Sequence, residues 1–187
     1  MIKKINAFLG LSIITLFLIH IIYEIYAYLT FYYNPVLTKV IAYAVLGIAG
    51  LHALLSIFIV FFMHDRGNGM RYPALNVRTL LQRISAFAAL ALIIVHMNTF
   101  SLLKKTAEAS RPLFFTVLAV QAVFYANVLL HIGLSTGNAL ITIGVITNTK
   151  TRKIFDITVW IICAILFISA LVIVTRTQLA MFSGGAS

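Results

Sequence analysis

Four histidines of this 187-residue chain lie inside long apolar segments. His20, His52, His96 and His131 fall one in each of the first four segments. Ionisable side chains within a bilayer are rare, and they face the interior of a helix bundle or a ligand. One such histidine is readily explained by a hydrogen bond between helices. Four of them, one in each of four consecutive segments, argue instead for metal ligation.

The composition indicates that the segments holding these histidines are membrane spans. Hydrophobic residues make up 62% of the chain and charged residues 10%, whereas a water-soluble domain is nearer half apolar and a quarter charged. We therefore expect one all-α integral membrane domain with five transmembrane helices, the first four forming a four-helix bundle. The expected spans are residues 6–29, 38–63, 79–103, 112–138 and 154–176.

The basic residues indicate an orientation. Lys and Arg number 14 against four Asp and Glu, for a net charge of +10. Because the basic residues lie mainly between apolar segments, we expect them to orient the chain in a lipid bilayer and expect no nucleic-acid partner. Most of them fall on the inner side if the amino terminus is inside and the carboxyl terminus outside, as the positive-inside rule favours.

Depth divides the four histidines into two pairs. At 1.5 Å per residue, His20 and His96 lie about 21 and 25 Å from the inner ends of their segments, and His52 and His131 about 15 and 10 Å. Each pair comes from alternate helices, which lie diagonally across a four-helix bundle. Two imidazoles facing each other across a bundle core are what a bis-histidine haem requires. The spacing thus predicts an outer haem on His20 and His96, and an inner haem on His52 and His131.

Zinc and copper sites fit the pattern less well. They use three or four converging ligands, often including thiolates or carboxylates, whereas the two pairs lie about 10 Å apart. The sequence has no HExxH or CxxC motif, and its one cysteine, Cys163, lies in the fifth segment.

Two stretches resemble a known family, the di-haem cytochrome b membrane-anchor subunits of succinate:menaquinone oxidoreductases and fumarate reductases. Gln82-Arg83-Ile84-Ser85 followed by His96 is similar to the family's Gln-Arg-x-Thr/Ser segment before a third-helix histidine. His131, residues 144–147 and the basic turn 150–153 are similar to its fourth-helix histidine and following turn. The family's usual glycine after Gln-Arg-x-Thr is Ala86 in this chain.

The resemblance implies two b haems, with His52 and His131 on the haem nearer the iron–sulfur subunit and His20 and His96 on the distal haem. It also implies flavoprotein and iron–sulfur partner subunits on the cytoplasmic side, membrane quinone, with menaquinone expected, and the cytoplasmic membrane of a prokaryote. The chain itself has no flavin fingerprint and no iron–sulfur cysteines, so dicarboxylate chemistry would belong to partners.

Glu24 stands out as the only acid we expect inside a span. It follows His20 by four residues and therefore lies on the same helix face, one turn nearer the outer surface. A carboxyl group at this position suits proton exchange with a quinone beside the outer haem. The alternative is an interfacial acid within an aromatic belt that includes Tyr23, Tyr26 and Tyr28.

Four other polar residues are candidates for lesser roles. Arg83 could pair with a haem propionate or extend along the lipid surface. Ser135 and Asn138 could donate hydrogen bonds to propionates or stabilise helix contacts. We expect His64, at the inner end of the second span, to be an interfacial or partner-docking residue, because it has no histidine partner at its depth.

The favoured function is electron transfer between a cytoplasmic flavoprotein/iron–sulfur pair and membrane quinone. Two alternatives stay open. The first is a di-haem cytochrome that serves another membrane dehydrogenase or conducts electrons alone. The second is a small haem-handling or transport protein whose histidines bind cargo transiently.

Overall fold

All regular secondary structure in the described part of the chain is helical. The computed structural model describes residues 1–62 and 73–183, without the side chains of residues 73–76, 107–109 and 183. Each helix contains a stretch long and apolar enough to span a membrane, which confirms the expected all-α membrane fold. The helices are α1 (Ile2–Thr30), α2 (Pro35–Phe62), α3 (Pro73–Ala109), α4 (Arg111–Ile143) and α5 (Thr149–Ser183).

Local sequence signals set the ends of several helices. The Asn34 side-chain oxygen accepts hydrogen bonds from the backbone N–H groups of Val36 and Leu37, both at 3.1 Å, and thereby caps α2. Gly144 ends α4 with a φ of 89°, a left-handed conformation that glycine adopts without strain. The Asn148 side chain accepts from the Thr151 N–H at 2.7 Å and caps α5. Helix α2 consequently begins before its expected span, α4 ends after its own, and α5 begins before its own.

The helices run alternately up and down. We call the end of the bundle where α1 begins the near end, and the end where α1 finishes the far end. At the near end, the Asn6 side chain in α1 donates to Ser56, late in α2, at 3.0 Å. At the far end, Gln178 in α5 donates to the Tyr28 hydroxyl in α1 at 3.1 Å. The inner side predicted from the sequence corresponds to the near end.

Helix α4 is the centre of the packing, since it contacts α1, α3 and α5, while α2 packs mainly on α1. Glycines let α5 approach α4: a Cβ on Gly133 would lie 2.8 Å from the Trp160 ring. At the far end, Leu103 of α3 and Phe114 and Leu118 of α4 form a buried apolar cluster. Leu179 and Phe182 of α5 pack against it. Because α5 packs into the assembly, a bundle built from the first four helices alone stays a prediction.

Candidate histidine-pair site

The structure brings the four histidines together two by two. His20 lies near His96, and His52 lies near His131. The two pairs lie at different levels, because the imidazole of His96 stacks on Phe124 with ring centroids 4.5 Å apart, and Phe124 precedes His131 by seven residues of α4. Seven helical residues correspond to about 10 Å. We call His52 and His131 the near pair and His20 and His96 the far pair.

The near-pair imidazole on α2 is held by α1. Nδ1 of His52 donates to the backbone oxygen of Asn6 at 3.1 Å. Gly10, one turn further along α1, faces the same ring, and a Cβ there would lie 3.2 Å from Cε1 of His52. A carbonyl oxygen can only accept, so Nδ1 carries the proton and Nε2 of the neutral ring keeps its lone pair.

The other near-pair imidazole is held by α3. Nδ1 of His131 lies 3.1 Å from the backbone oxygen of Gln82 and 3.1 Å from the hydroxyl oxygen of Ser85. The Ser85 hydroxyl donates to the same carbonyl at 3.0 Å, and the side chain is only 2% exposed. His131 therefore also carries its proton on Nδ1. Metal-ligating histidines commonly have this arrangement, in which the second ring nitrogen donates to a carbonyl and orients the first.

The far pair has a different environment. Nδ1 of His20 and Nδ1 of His96 are buried without a hydrogen-bond partner among the described residues, as is one carboxyl oxygen of Glu24. Leaving a buried polar group unsatisfied costs on the order of 1–3 kcal/mol. Unsatisfied groups concentrated at one level of a bundle are typical of a site that a ligand or ordered water completes.

A polar cluster surrounds Glu24 at the far end. Glu24, Tyr28 and Tyr125 lie close to one another. The Gln121 side chain donates to the Tyr125 hydroxyl, and Gln178 donates to the Tyr28 hydroxyl. The side-chain oxygens of both glutamines are buried and without a partner within the described structure. Tyr125 also contacts the His96 ring edge to face, at a centroid distance of 6.0 Å, so this cluster adjoins the far pair.

The expectation that Glu24 is the only acid inside a span is wrong. Asp156 falls within the expected fifth span, 154–176, and lies in helix α5. Its carboxylate forms a bidentate ion pair with Arg78 of α3, at 2.8 and 3.1 Å. Arg152, one turn before Asp156, lies 3.9 Å from the same carboxylate. The pair is partly buried, with side-chain exposures of 21% and 19%, because Gly137 of α4 leaves room for the carboxylate.

Face periodicity was the signal that could have identified Arg78. At 100° per residue, Arg78, Gln82 and Ser85 fall on the same face of α3 as His96. Arg83 lies about 140° from His96 around the helix and is exposed in the structure. The structure therefore does not bring Arg83 to the histidines, and the arginine on their face is Arg78.

The remaining candidates have protein partners or lie outside the described residues. Ser135 donates to the backbone oxygen of His131 at 2.7 Å, within its own helix. The Asn138 side chain donates to the Gln82 side chain at 3.2 Å and accepts from Arg152 at 3.0 Å. His64 falls outside the described part of the chain.

These residues fit two bis-histidine sites. In the near pair, backbone carbonyls accept hydrogen bonds from Nδ1 of both rings, so Nε2 of each ring is the nitrogen that could ligate a metal. At the far pair Nδ1 of both rings is buried without a partner in the described residues, so no hydrogen bond there fixes which nitrogen carries the proton. In the described residues, no group of three or more His, Cys, Asp or Glu side chains converges, so the donors come as imidazole pairs.

Comparison of the chain with protein-family models, curated proteins and solved structures finds no match. Its function must therefore be argued from the geometry of the site.

Proposed function

We propose that this chain is a membrane-anchor cytochrome b subunit that carries two b haems and transfers electrons between a flavoprotein/iron–sulfur pair and membrane quinone. The observation that carries the proposal is the arrangement of four histidines, one from each of α1 to α4, as two pairs at two levels of a membrane-spanning bundle. Two redox centres at different depths give a route for electrons across part of the bilayer.

His52 and His131 would ligate the near haem, and His20 and His96 the far haem. Bound b haem supplies one-electron transfer, a chemistry that the side chains of this chain lack. The residues of the chain orient the imidazoles, through Asn6 and Gln82 at the near level, and enclose the pairs in apolar helices. The apolar envelope excludes water, which controls the local dielectric and hence the redox potential.

Glu24 is the proposed proton donor and acceptor for quinone at the far end. Quinone reduction takes up two protons, so a quinone site needs a proton relay beside its electron donor. Glu24 lies one helical turn from His20, and one of its oxygens is buried without a partner in the described structure. The neighbouring hydroxyls of Tyr28 and Tyr125 are polar groups through which a proton can reach it.

The near end is the proposed docking face for the partner subunits. The turn before α5 and its first residues carry Lys150, Arg152 and Lys153, and a basic surface favours association with an acidic one. With this face in the cytoplasm, the amino terminus is inside and the far end faces outward, as in the cytoplasmic membrane of a prokaryote.

Affinity purification of the native complex in mild detergent tests the assignment. We expect a flavoprotein and an iron–sulfur subunit to co-purify with the chain. Co-purification of a different dehydrogenase would favour another electron-transfer complex, and isolation of a haem-free single chain would favour the haem-handling alternative.

A further inference from the structure

A continuous chain of polar contacts links α5 to the near-pair histidine on α4. Arg78 and Arg152 both approach the Asp156 carboxylate. Arg152 donates to Asn138, and Asn138 donates to the Gln82 side chain. The chain thus begins at a carboxylate on α5 and ends on α3, at the residue whose backbone oxygen accepts from His131.

Arg78 also holds the segment of α4 that follows His131. Its Nε donates to the backbone oxygen of Leu134 at 3.1 Å, and Nη2 donates to that of Gly133 at 3.4 Å. The position of His131 is therefore constrained twice, through Gln82 on one side and through the carbonyls two and three residues later on the other. The second constraint depends directly on the ion pair between Arg78 and Asp156, since the carboxylate fixes the guanidinium. The first reaches the same carboxylate through Asn138 and Arg152.

We propose that Asp156 and Arg78 are positioning residues for the imidazole of His131 and so set the redox potential of the near haem. This inference rests on the proposed function. The orientation of an axial imidazole and the hydrogen bond at its other nitrogen tune the bound iron. The far pair has no such contacts, because Nδ1 of His20 and of His96 lacks a partner in the described structure. A disturbance of the ion pair therefore acts on one haem of the two.

Two variants disturb the ion pair in different ways. Asp156→Asn keeps the shape of the side chain and removes its charge. Gly137→Ala keeps every charge, but its new methyl group would overlap the Asp156 carboxylate, which must move away. Gly47→Ala is the matched control, because a Cβ at Gly47 meets nothing within 4 Å. All three are made in the full-length, haem-loaded protein.

The measurement is a potentiometric titration followed by optical absorption and by electron paramagnetic resonance. We expect both ion-pair variants to keep two haems and to shift one component, the one that His131→Ala removes. The expected shift is at least a threefold change in its oxidised-to-reduced ratio at fixed potential, or about 30 mV for one electron. The g values of that component should shift as well, whereas the other component and the Gly47→Ala protein should match wild type.

Three results would overturn the inference. Equal shifts in both haems, or in neither, would mean that the ion pair does not act through His131. A shift in Asp156→Asn without one in Gly137→Ala would assign the effect to charge and not to position. Wild-type protein with two haems and unshifted variants overturns this inference alone, whereas wild-type protein without two haems overturns the proposed function as well.

Discussion

Replacing Glu24 with glutamine separates a proton relay from a merely interfacial acid. Glu24→Gln keeps the size and polarity of the side chain and removes its ability to exchange a proton. The side chain is partly buried, and it lies one turn from His20 without contributing to either pair. We therefore expect the variant to bind two haems like wild type and to lose at least tenfold in quinone-linked turnover. A tenfold loss corresponds to about 1.4 kcal/mol of activation free energy, at the low end for removal of a general acid–base group.

The assay is turnover of a water-soluble quinone analogue by the purified complex, normalised to haem content. Glu108→Gln is the matched control, because it makes the same chemical change outside the expected third span, 79–103. Unchanged turnover in a haem-replete Glu24→Gln complex would refute the relay and leave Glu24 as an interfacial residue. Equal losses in the two variants would show that the effect is not specific to the far site.

Three further predictions concern stability and haem assignment. Arg78→Ala removes the bidentate partner of Asp156 and leaves Arg152 as the remaining cation, 3.9 Å from the carboxylate. Because the Arg78 and Asp156 side chains are also about one-fifth exposed, we expect a loss of about 2–3 kcal/mol, below the range for fully buried pairs, measurable by thermal unfolding in detergent. Gly133→Ala should force the indole ring that packs on it to move and cost about 1–3 kcal/mol; unchanged thermal stability would contradict the close approach of α4 and α5. His52→Ala should remove the near haem and His20→Ala the far one, and loss of the same redox component in both would contradict the two-level arrangement.

The five helices could be predicted from the sequence because apolar runs of this length have few alternatives in lipid. Their ends were less accessible, since a run of apolar residues marks the membrane core and not the end of a helix. Helix α5 begins at Thr149 and not near Ile154, because Asn148 caps a first turn that is basic and therefore lay outside the apolar run. Helix α3 likewise begins at Pro73, before residue 79, where the expected third span starts.

The two levels of histidines could be predicted from depth, because the rise per residue is fixed in a helix. The ion pair of Arg78 and Asp156 could not, since it joins residues 78 positions apart and depends on which faces of α3 and α5 meet. The sequence suggested Arg83 as a propionate partner because it follows Gln82, but neighbouring residues of a helix point about 100° apart. Arg78 lies five full turns before His96, so the two residues share a face of α3.

The content of haem in the pure protein tests the central proposal most directly. A pyridine haemochrome assay on the full-length chain, combined with quantitative amino-acid analysis, measures b haem per polypeptide. Two pairs of imidazoles predict two b haems per chain with low-spin, bis-histidine spectra. One haem per chain, or none, would contradict the proposal.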